Sequence, residues 1–203
     1  MQRLQEKNIN TAQEYNRIFQ ERAKAGPSWQ DVRRWKKLLK YYDDGFLIDI
    51  GCLDSQIPDL IRDKDKYCGI DLAIDVNVMK KKYPGANYEN LNLYNLHLRG
   101  WASEYDYAIL GEVLEHLEEP ERAVKKAFSI LRPGGVLAIS VPLEEAKEPG
   151  AVDGDRHLWS FTKNDIKELL EPYSSKVKFK IIGSQWFPYK YAWPTLLAYA
   201  WKK

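Results

Sequence analysis

The sequence predicts an α/β fold: a doubly wound, mostly parallel sheet preceded by a short helical extension. Short apolar runs alternate with stretches of helical periodicity from Phe46 onward, which is the pattern of βαβ units. Two strand-like segments at the C-terminus follow each other without a helix between them, which predicts a closing antiparallel pair. Residues 1–44 carry only helical patterns, so we expect a helical extension there and one main domain over 45–203.

Two amphipathic helices are predicted in the extension. Residues 11–25 form the first, with Thr11 and Glu14 as a capping box and Gly26 at its end. Residues 28–42 form the second, because their apolar side chains recur at helical spacing. The opposite face of this second helix is basic, and we expect it to be solvated, with an anionic partner as the alternative. This face consists of Arg33, Arg34, Lys36, Lys37 and Lys40.

Hydrophobic periodicity and turn residues predict the elements of the main domain. The predicted strands are 46–50, 67–71, 86–93, 105–110, 136–141, 176–182 and 195–201. The predicted helices are 57–62, a segment from 76 to the turn at 83–85, 120–131 and 162–170.

Composition and charge exclude several classes of protein. The chain has 203 residues, of which 44% are hydrophobic and 30% charged, which is ordinary for a globular domain. A net charge of +2 gives no sign of a dedicated nucleic-acid binder. No stretch is apolar enough for a secretory signal or a membrane span, so we expect a cytoplasmic protein without a membrane partner.

Two acidic residues end neighbouring predicted strands. Asp49 and Gly51 lie where the first strand turns, and Asp71 ends the second strand. Ligands of open α/β sheets bind beyond the carboxyl ends of the strands, and glycine lets the backbone approach them closely. An acid at the end of the second strand accepts hydrogen bonds from ribose hydroxyls. Together these residues predict a site for a nucleoside-containing cofactor.

Two longer sequence segments make this prediction more specific. They are YDYAILGEVLEHL at 105–117 and ILRPGGVLAISVP at 130–142. With 47–52 and 69–71, they resemble the class I S-adenosylmethionine-dependent methyltransferases over roughly residues 45–172. The chain also resembles the ubiquinone-biosynthesis O-methyltransferase-like group. The resemblance implies a Rossmann-like sheet of seven strands with an antiparallel last strand.

The resemblance also implies which residues bind S-adenosylmethionine, whose product after methyl transfer is S-adenosylhomocysteine. Asp49 and Gly51 would face the methionine end of the cofactor and Asp71 its ribose, with Cys52 and Leu72 as further cofactor-binding residues. Adenine would lie between Asn92 and Leu93, and Gly111 and Glu112 would close the site.

The first loop departs from the family pattern. Leu53 and Ser55 occupy positions where the family usually has further glycines. Because leucine disfavours φ > 0, we expect the loop to take another path or to bind the cofactor less tightly. This departure favours, as one alternative, a cofactor-binding protein that has lost catalysis.

Two glutamates and a histidine follow the fourth strand closely in the sequence. If 112–116 is helical, Glu112 shares a face with Glu115 and His116. His116 and His157 are the candidate catalytic residues, either as general bases or as contacts to the acceptor. The pattern also resembles the metal site of small-RNA 2′-O-methyltransferases, with Glu112, Glu115, His116 and His157 as ligands. A divalent metal is therefore an alternative, but a metal-free site is favoured because this local motif is widespread in the superfamily.

The methyl acceptor is not identified by the sequence. We expect it to be a small molecule with an oxygen or nitrogen nucleophile, whereas RNA is the less favoured alternative. The predicted acceptor side comprises the two N-terminal helices, the loop 143–160 and the aromatic stretch 186–193.

Overall fold

A computed structural model describes residues 1–5, 10–143, 157–183 and 194–203. Its α-helices are α1 (Ala12–Ala25), α2 (Trp29–Leu38), α3 (Val76–Lys82), α4 (Pro120–Ile130) and α5 (Lys163–Leu170). Its strands are β1 (Gln2–Arg3), β2 (Leu47–Ile50), β3 (Tyr67–Asp71), β4 (Asn87–Asn90), β5 (Tyr105–Gly111), β6 (Leu131–Pro142), β7 (Trp159–Ser160), β8 (Ser174–Ile182) and β9 (Thr195–Lys202). Short 3₁₀ helices cover 39–41, 57–59, 64–66, 93–99 and 114–116.

Seven strands form the main sheet in the order β4-β3-β2-β5-β6-β9-β8. The strands from β4 to β6 pair in parallel, and β9 runs antiparallel to both β6 and β8. The predicted α/β fold, with its mostly parallel sheet and antiparallel last strand, is confirmed. Ile50 lies opposite Ile70 on β3 and Leu110 on β5, so the carboxyl ends of these three strands share one edge.

Helices cover both faces of the sheet, and the strands are buried on both sides. Alternate residues of one strand therefore belong to different cores: Leu47 packs with α2 and α3, whereas Ile48 packs with α4 and α5. Side chains of parallel strands alternate between faces, which explains why β2 is a continuous apolar run apart from Asp49. That exception marks Asp49 as a buried polar group that needs partners.

Helix α2 is fixed to the sheet through its C-terminal carbonyls. The hydroxyl of Tyr107 on β5 donates to the carbonyl of Leu38 at 2.5 Å. The hydroxyl of Tyr199 on β9 donates to the carbonyl of Lys37, also at 2.5 Å. The last carbonyls of a helix lack partners within the helix, so these two bonds satisfy them and position α2 on the sheet.

Several local predictions differ from the structure. The helix predicted at 57–62 is only a 3₁₀ turn at 57–59, and the second helix ends at Leu38 before a 3₁₀ turn. The condition that 112–116 is helical is not met, because Glu112 has φ 58° and only 114–116 form a 3₁₀ turn. A two-stranded antiparallel sheet of β1 and β7 was not predicted, since strands of two residues carry no readable period.

Within the described part of the chain, no helix combines the length and the apolar character needed to cross a membrane.

Candidate functional site

A cavity of about 560 Å³ opens where β2, β3 and β5 end. Its walls also include residues of α1 and α2 and of the turns that follow the strands. Every cofactor-site or catalytic residue predicted from the sequence lies in its lining: Asp49, Gly51, Cys52, Asp71, Leu72, Asn92, Leu93, Gly111, Glu112, His116 and His157. The fold thus gathers residues that are more than 100 positions apart in the chain.

The turn after β2 requires glycine for two reasons. Gly51 has φ 76°, a conformation that other residues rarely adopt. A Cβ atom added there would lie 2.5 Å from Cγ2 of Val113, which is closer than two carbon atoms can approach. The carbonyl of Ile70 accepts the N–H groups of both Gly51 (2.8 Å) and Cys52 (3.1 Å), so the turn is fastened to β3.

Asp49 is a buried carboxylate beneath this turn. The Tyr67 hydroxyl donates to its Oδ2 at 3.0 Å. Burial, with a smaller contribution from the nearby Asp71, raises the pKa of Asp49 to about 6, against the opposing effects of Ser55, Tyr67 and Arg34. A cationic group in the cavity would favour the ionised form of Asp49.

Asp71 at the end of β3 holds the first loop in place. Its Oδ2 accepts the N–H of Leu53 at 3.1 Å, and its Oδ1 accepts the N–H of Ala73 at 2.9 Å. Burial raises the pKa of Asp71, and these backbone bonds partly offset that effect. Each oxygen keeps a further lone pair that could accept a ribose hydroxyl.

Leu53 adopts a positive φ although leucine disfavours it. Leu53 has φ 41°, and its N–H is the donor to Asp71. A leucine in the left-handed region costs roughly 1–2 kcal/mol, and a hydrogen bond to a charged group is of similar size. The hydrogen bond to Asp71 therefore offsets the cost of this conformation locally.

The predicted adenine wall lies after β4. The Asn92 side chain accepts the N–H of Tyr94 at 2.9 Å and so caps the 3₁₀ helix 93–99. Leu91 donates its N–H to the carbonyl of Asp71 at 3.0 Å, which brings this wall beside the end of β3. Leu93 is buried, whereas Leu72 is 51% exposed and leaves an apolar side chain at the rim of the cavity.

Glu112 follows β5 in a left-handed conformation. Its N–H donates to the carbonyl of Ser140 at 2.9 Å, which fixes the backbone against β6. Its Oε1 is shielded from solvent and makes no hydrogen bond to any residue that the structure describes. A buried acceptor in a cavity wall calls for a donor, and a ligand bearing N–H or O–H groups would supply one.

Glu115, His116 and His157 form a cluster beside this wall, and we call it the histidine end of the cavity. One ligand atom from each lies within 4.8 Å of the others, and Glu115 is buried. The imidazole rings of His116 and His157 are 5.0 Å apart between centroids. Glu112 does not belong to this cluster, so three of the four predicted metal ligands converge.

Long-range backbone contacts hold the histidine end. The N–H of Leu158 donates to the carbonyl of Glu115 at 2.6 Å, which places His157 beside His116. The side chain of Asn10 donates to the carbonyl of His116 at 3.1 Å. The ring of Tyr15 lies edge-on to His116, with 6.0 Å between centroids. The region preceding α1 and the helix itself therefore border this end of the cavity.

Helices α1 and α2 contribute a charged wall that was not predicted from the sequence. Arg22 pairs with Asp54 of the first loop (2.7 Å) and with Asp31 (3.2 Å), and Arg34 pairs with Asp31 at 2.9 Å. Arg34 was assigned to the solvated face of its helix, and this is wrong: its side chain is 18% exposed and lines the cavity. Its spacing from Asp31, Trp35 and Leu38 is that of one helical stripe, which is the signal that could have found it.

Part of the predicted acceptor side lies outside the described residues, namely 144–156 and 186–193. Trp159, which is described, donates its indole N–H to the carbonyl of Leu117 at 2.7 Å. Arg3 lies over its ring at 5.3 Å. These contacts engage Trp159 in packing near the histidine end.

Comparisons with known proteins agree with the geometry of the cavity. The sequence profile of the family described as "Methyltransferase domain" matches residues 12–173. A probable S-adenosylmethionine-dependent methyltransferase of Mycolicibacterium smegmatis is 28% identical over 136 residues, which make up 65% of this chain and 52% of that protein. The chain thus spans about half the length of this curated relative.

Solved structures share the fold at low sequence identity. The 1,6-didemethyltoxoflavin-N1-methyltransferase of Burkholderia thailandensis, solved with its substrate and S-adenosylhomocysteine, has a TM-score of 0.66 at 16% identity. The match covers 98% of this chain and 93% of that one. The N-methyltransferase NodS of Bradyrhizobium japonicum, solved with S-adenosylhomocysteine, has a TM-score of 0.67 at 16% identity, with 95% and 98% of the two chains covered.

The profile match spans most of the chain, and the solved methyltransferase structures share its fold. The chain therefore belongs to the methyltransferase-domain family, which confirms its recognition as a class I S-adenosylmethionine-dependent methyltransferase fold.

Proposed function

We propose that this protein binds S-adenosylmethionine in the cavity and transfers its methyl group to an oxygen or nitrogen atom of a small molecule. The observation that carries the proposal is the convergence of all the predicted cofactor-site residues in the lining of one cavity at the strand ends. In this proposal residues 45–203 form the cofactor-binding domain, and residues 1–44 are an extension that borders the acceptor side.

The cavity walls support an assignment of cofactor groups. The aspartate end comprises Asp49, Gly51 and Asp71. It offers a buried carboxylate (Asp49) and a part-buried one (Asp71), both with raised pKa values, for an ammonium group and for ribose hydroxyls. Glu112 has a shielded acceptor oxygen in the same lining. The apolar side chains of Leu72 and Leu93 suit a planar base. These acceptor groups and apolar side chains thus fit a ligand that combines a cationic amino acid with a nucleoside.

When bound, S-adenosylmethionine supplies an electrophilic methyl group on a sulfonium. The acceptor's lone pair attacks that carbon, the carbon–sulfur bond breaks, and S-adenosylhomocysteine leaves as a neutral thioether. The protein's contribution is to align the two reactants and to remove the acceptor's proton where the nucleophile is weak. In this proposal His116 or His157 takes that proton, because both imidazoles lie in the cavity lining.

The first test is binding followed by transfer. Titration calorimetry should show S-adenosylhomocysteine binding, and radiolabelled S-adenosylmethionine should then label a member of a small-molecule panel. Total RNA serves as a parallel acceptor. Absence of S-adenosylhomocysteine binding would reject the proposal, whereas binding without labelling of any acceptor would favour a protein that has lost catalysis.

A second candidate function is metal-assisted transfer to an RNA 2′-hydroxyl. The observation that favours it is the convergence of Glu115, His116 and His157, since one carboxylate and two imidazoles are a known donor set for divalent ions. A ligand spacing of up to 4.8 Å exceeds twice a bond of about 2.0–2.2 Å, so metal binding would require the side chains to close in. The closure needed is small, and these residues therefore fit a metal only with local adjustment.

Chelation separates the two candidates. In the metal-free proposal, a chelator leaves the transfer rate unchanged, and Glu115→Gln acts only through positioning of His116. In the metal-assisted alternative, a chelator abolishes transfer, added divalent ions restore it, and Glu115→Gln abolishes the restoration.

A further inference from the structure

Tyr67 on β3 contacts the Asp49 carboxylate from outside the cavity lining. In the register of the sheet, Leu47 lies opposite Tyr67, and Asp49 lies opposite Gly69. Residues two apart on a strand point to the same face, so Tyr67 and Asp49 share a face of the sheet. The Tyr67 hydroxyl donates to Oδ2 of Asp49 at 3.0 Å. Tyr67 is 1% exposed and does not line the cavity, whereas Asp49 does, so Tyr67 can act on a ligand only through Asp49.

Glycine at position 69 leaves room for a pair of tyrosines beside Asp49. A Cβ atom added to Gly69 would lie 2.8 Å from the ring of Tyr88 and 2.9 Å from Sγ of Cys52. The ring of Tyr67 packs against that of Tyr88, with 5.6 Å between centroids. The hydroxyl of Tyr88 is shielded from solvent and makes no hydrogen bond to any described residue. Tyr67 is therefore the member of this buried pair whose hydroxyl bonds the carboxylate.

The Tyr67 hydroxyl is a lasting donor to Asp49. Burial, and next the charge of Asp49, raise the pKa of Tyr67 well above its usual value, so the phenol keeps its proton. An ionised carboxylate only accepts hydrogen bonds. A hydrogen bond donated to the ionised form favours that form, so Tyr67 counteracts the effect of burial on Asp49.

Several other groups influence the charge of Asp49. The polar or titratable groups that face it, besides Tyr67, are Asp71, Ser55, Arg34, Cys52 and Tyr88. Asp71 opposes the ionisation of Asp49, and the next two groups favour it. Burial raises the pKa of the last two, so both stay neutral. Of all these neighbours, it is Tyr67 that the structure shows hydrogen-bonded to the carboxylate.

We infer that Tyr67 is a positioning residue of the donor site, whose hydroxyl keeps the Asp49 carboxylate ionised and oriented for the ammonium group of the bound methyl donor. The inference rests on the proposed function, because it concerns how the same site recognises its ligand. Tyr67 therefore sets the lower limit of the pH range in which the amino-acid part of the ligand is recognised. The nucleoside part is unaffected.

The pH dependence of binding tests this by titration calorimetry. S-adenosylhomocysteine carries the amino acid, whereas 5′-methylthioadenosine keeps the adenosine and thioether but lacks it. Tyr67→Phe removes one hydroxyl and keeps the ring, and thermal unfolding checks that the variant folds. The pH at which half of the affinity for S-adenosylhomocysteine is lost should rise by about one to two units, because a hydrogen bond to a charged group is removed. Affinity for 5′-methylthioadenosine should stay the same at every pH.

Two further variants isolate the effect of the hydroxyl. Tyr88→Phe is the matched control, since it removes the other buried hydroxyl of the pair, which makes no hydrogen bond to Asp49. It should leave both affinities and the pH profile unchanged. In an Asp49→Asn background, Tyr67→Phe should cause no additional loss, because the group through which it acts is gone.

A loss of affinity for both ligands that is the same at every pH would overturn the inference and make Tyr67 a purely structural residue. An unchanged pH profile in Tyr67→Phe, or a full additional loss in the Asp49→Asn background, would overturn it as well. In each of these cases the unchanged protein still binds S-adenosylhomocysteine, so the proposed function stands. Failure of the unchanged protein to bind S-adenosylhomocysteine would instead reject the proposed function, and the inference with it.

Discussion

The aspartate end and the histidine end of the cavity are held by different kinds of contact. At the aspartate end, the Gly51 turn and Asp71 are fixed by hydrogen bonds between paired neighbouring strands, such as those to the carbonyl of Ile70. At the histidine end, Glu115 and His116 depend on Leu158 and Asn10, which lie far away in the chain. A sheet reproduces the first arrangement wherever its strands pair, whereas the second depends on segments outside the sheet. Donor binding can therefore stay constant in this fold while the acceptor side varies.

The strongest expected effect separates the two ends by function. His116→Ala and His157→Ala should each lower the rate of methyl transfer, by about 10²- to 10⁴-fold for the residue that acts as the base. Affinity for S-adenosylhomocysteine should remain within about twofold, because a general base contacts the acceptor and not the donor. Single-turnover transfer and titration calorimetry measure the two quantities. A loss of S-adenosylhomocysteine affinity as large as the loss of rate would show that the two ends are not separable.

A steric change should disable the aspartate end. Gly51→Ala combines a positive φ of 76° with a Cβ 2.5 Å from Val113, so the turn must shift. We expect about 2–4 kcal/mol of destabilisation and at least about tenfold weaker S-adenosylhomocysteine binding. Gly134→Ala is the matched control, since Gly134 has φ 77° but open space around its Cβ position. The control should cost about 1–2 kcal/mol and leave binding unchanged, as measured by thermal unfolding and calorimetry.

Removal of the ribose acid should give a smaller loss. Asp71→Ala should weaken S-adenosylhomocysteine binding by about 1–3 kcal/mol, since charge-assisted bonds to ribose and to the first loop are lost. Asp75→Ala is the control, because Asp75 likewise accepts two backbone N–H groups, those of Asn77 and Val78, but lies outside the cavity lining. The control should lower stability through loss of the helix cap without changing affinity. Unchanged affinity in Asp71→Ala would reject the ribose assignment.

The smallest effect concerns pH at the aspartate end. Burial raises the pKa of Asp49 to about 6, so the folded protein holds this proton more tightly than the unfolded chain does. The contribution of Asp49 to stability is therefore greatest in acid and is lost as the pH rises through about 6. A ligand ammonium needs the ionised carboxylate, so its binding should change in the opposite sense and weaken below pH 6.

Calorimetry at a series of pH values checks this expectation. Affinity for S-adenosylhomocysteine should fall by up to about tenfold for each pH unit below the pKa of Asp49, and Asp49→Asn should flatten the profile. The neighbouring Asp71 also has a raised pKa, so Asp71→Ala serves as the second reference. A profile that Asp49→Asn leaves unchanged would contradict the assignment of Asp49 to the ammonium side.

Local patterns predicted the parts of the site that lie next to strands. The apolar run at 47–50 and the acid Asp71 at the end of β3 were readable, because a parallel strand buried on both faces leaves few polar positions. The backbone conformations of Leu53 and Glu112 could not be predicted from the sequence. Both have φ > 0, which their residue types disfavour, and both donate their N–H groups to partners distant in sequence, Asp71 and Ser140.

The sequence by itself determined the fold class and the identity of the residues at the strand ends, because hydrophobic periodicity and turn chemistry are local properties. Only the tertiary structure placed Arg34 in the cavity wall, since a helix with a basic face does not reveal which charge lies against the sheet. Only the tertiary structure brought the imidazole rings of His157 and His116 into contact. Both placements depend on how separate elements pack, and packing is decided by contacts that no local pattern contains.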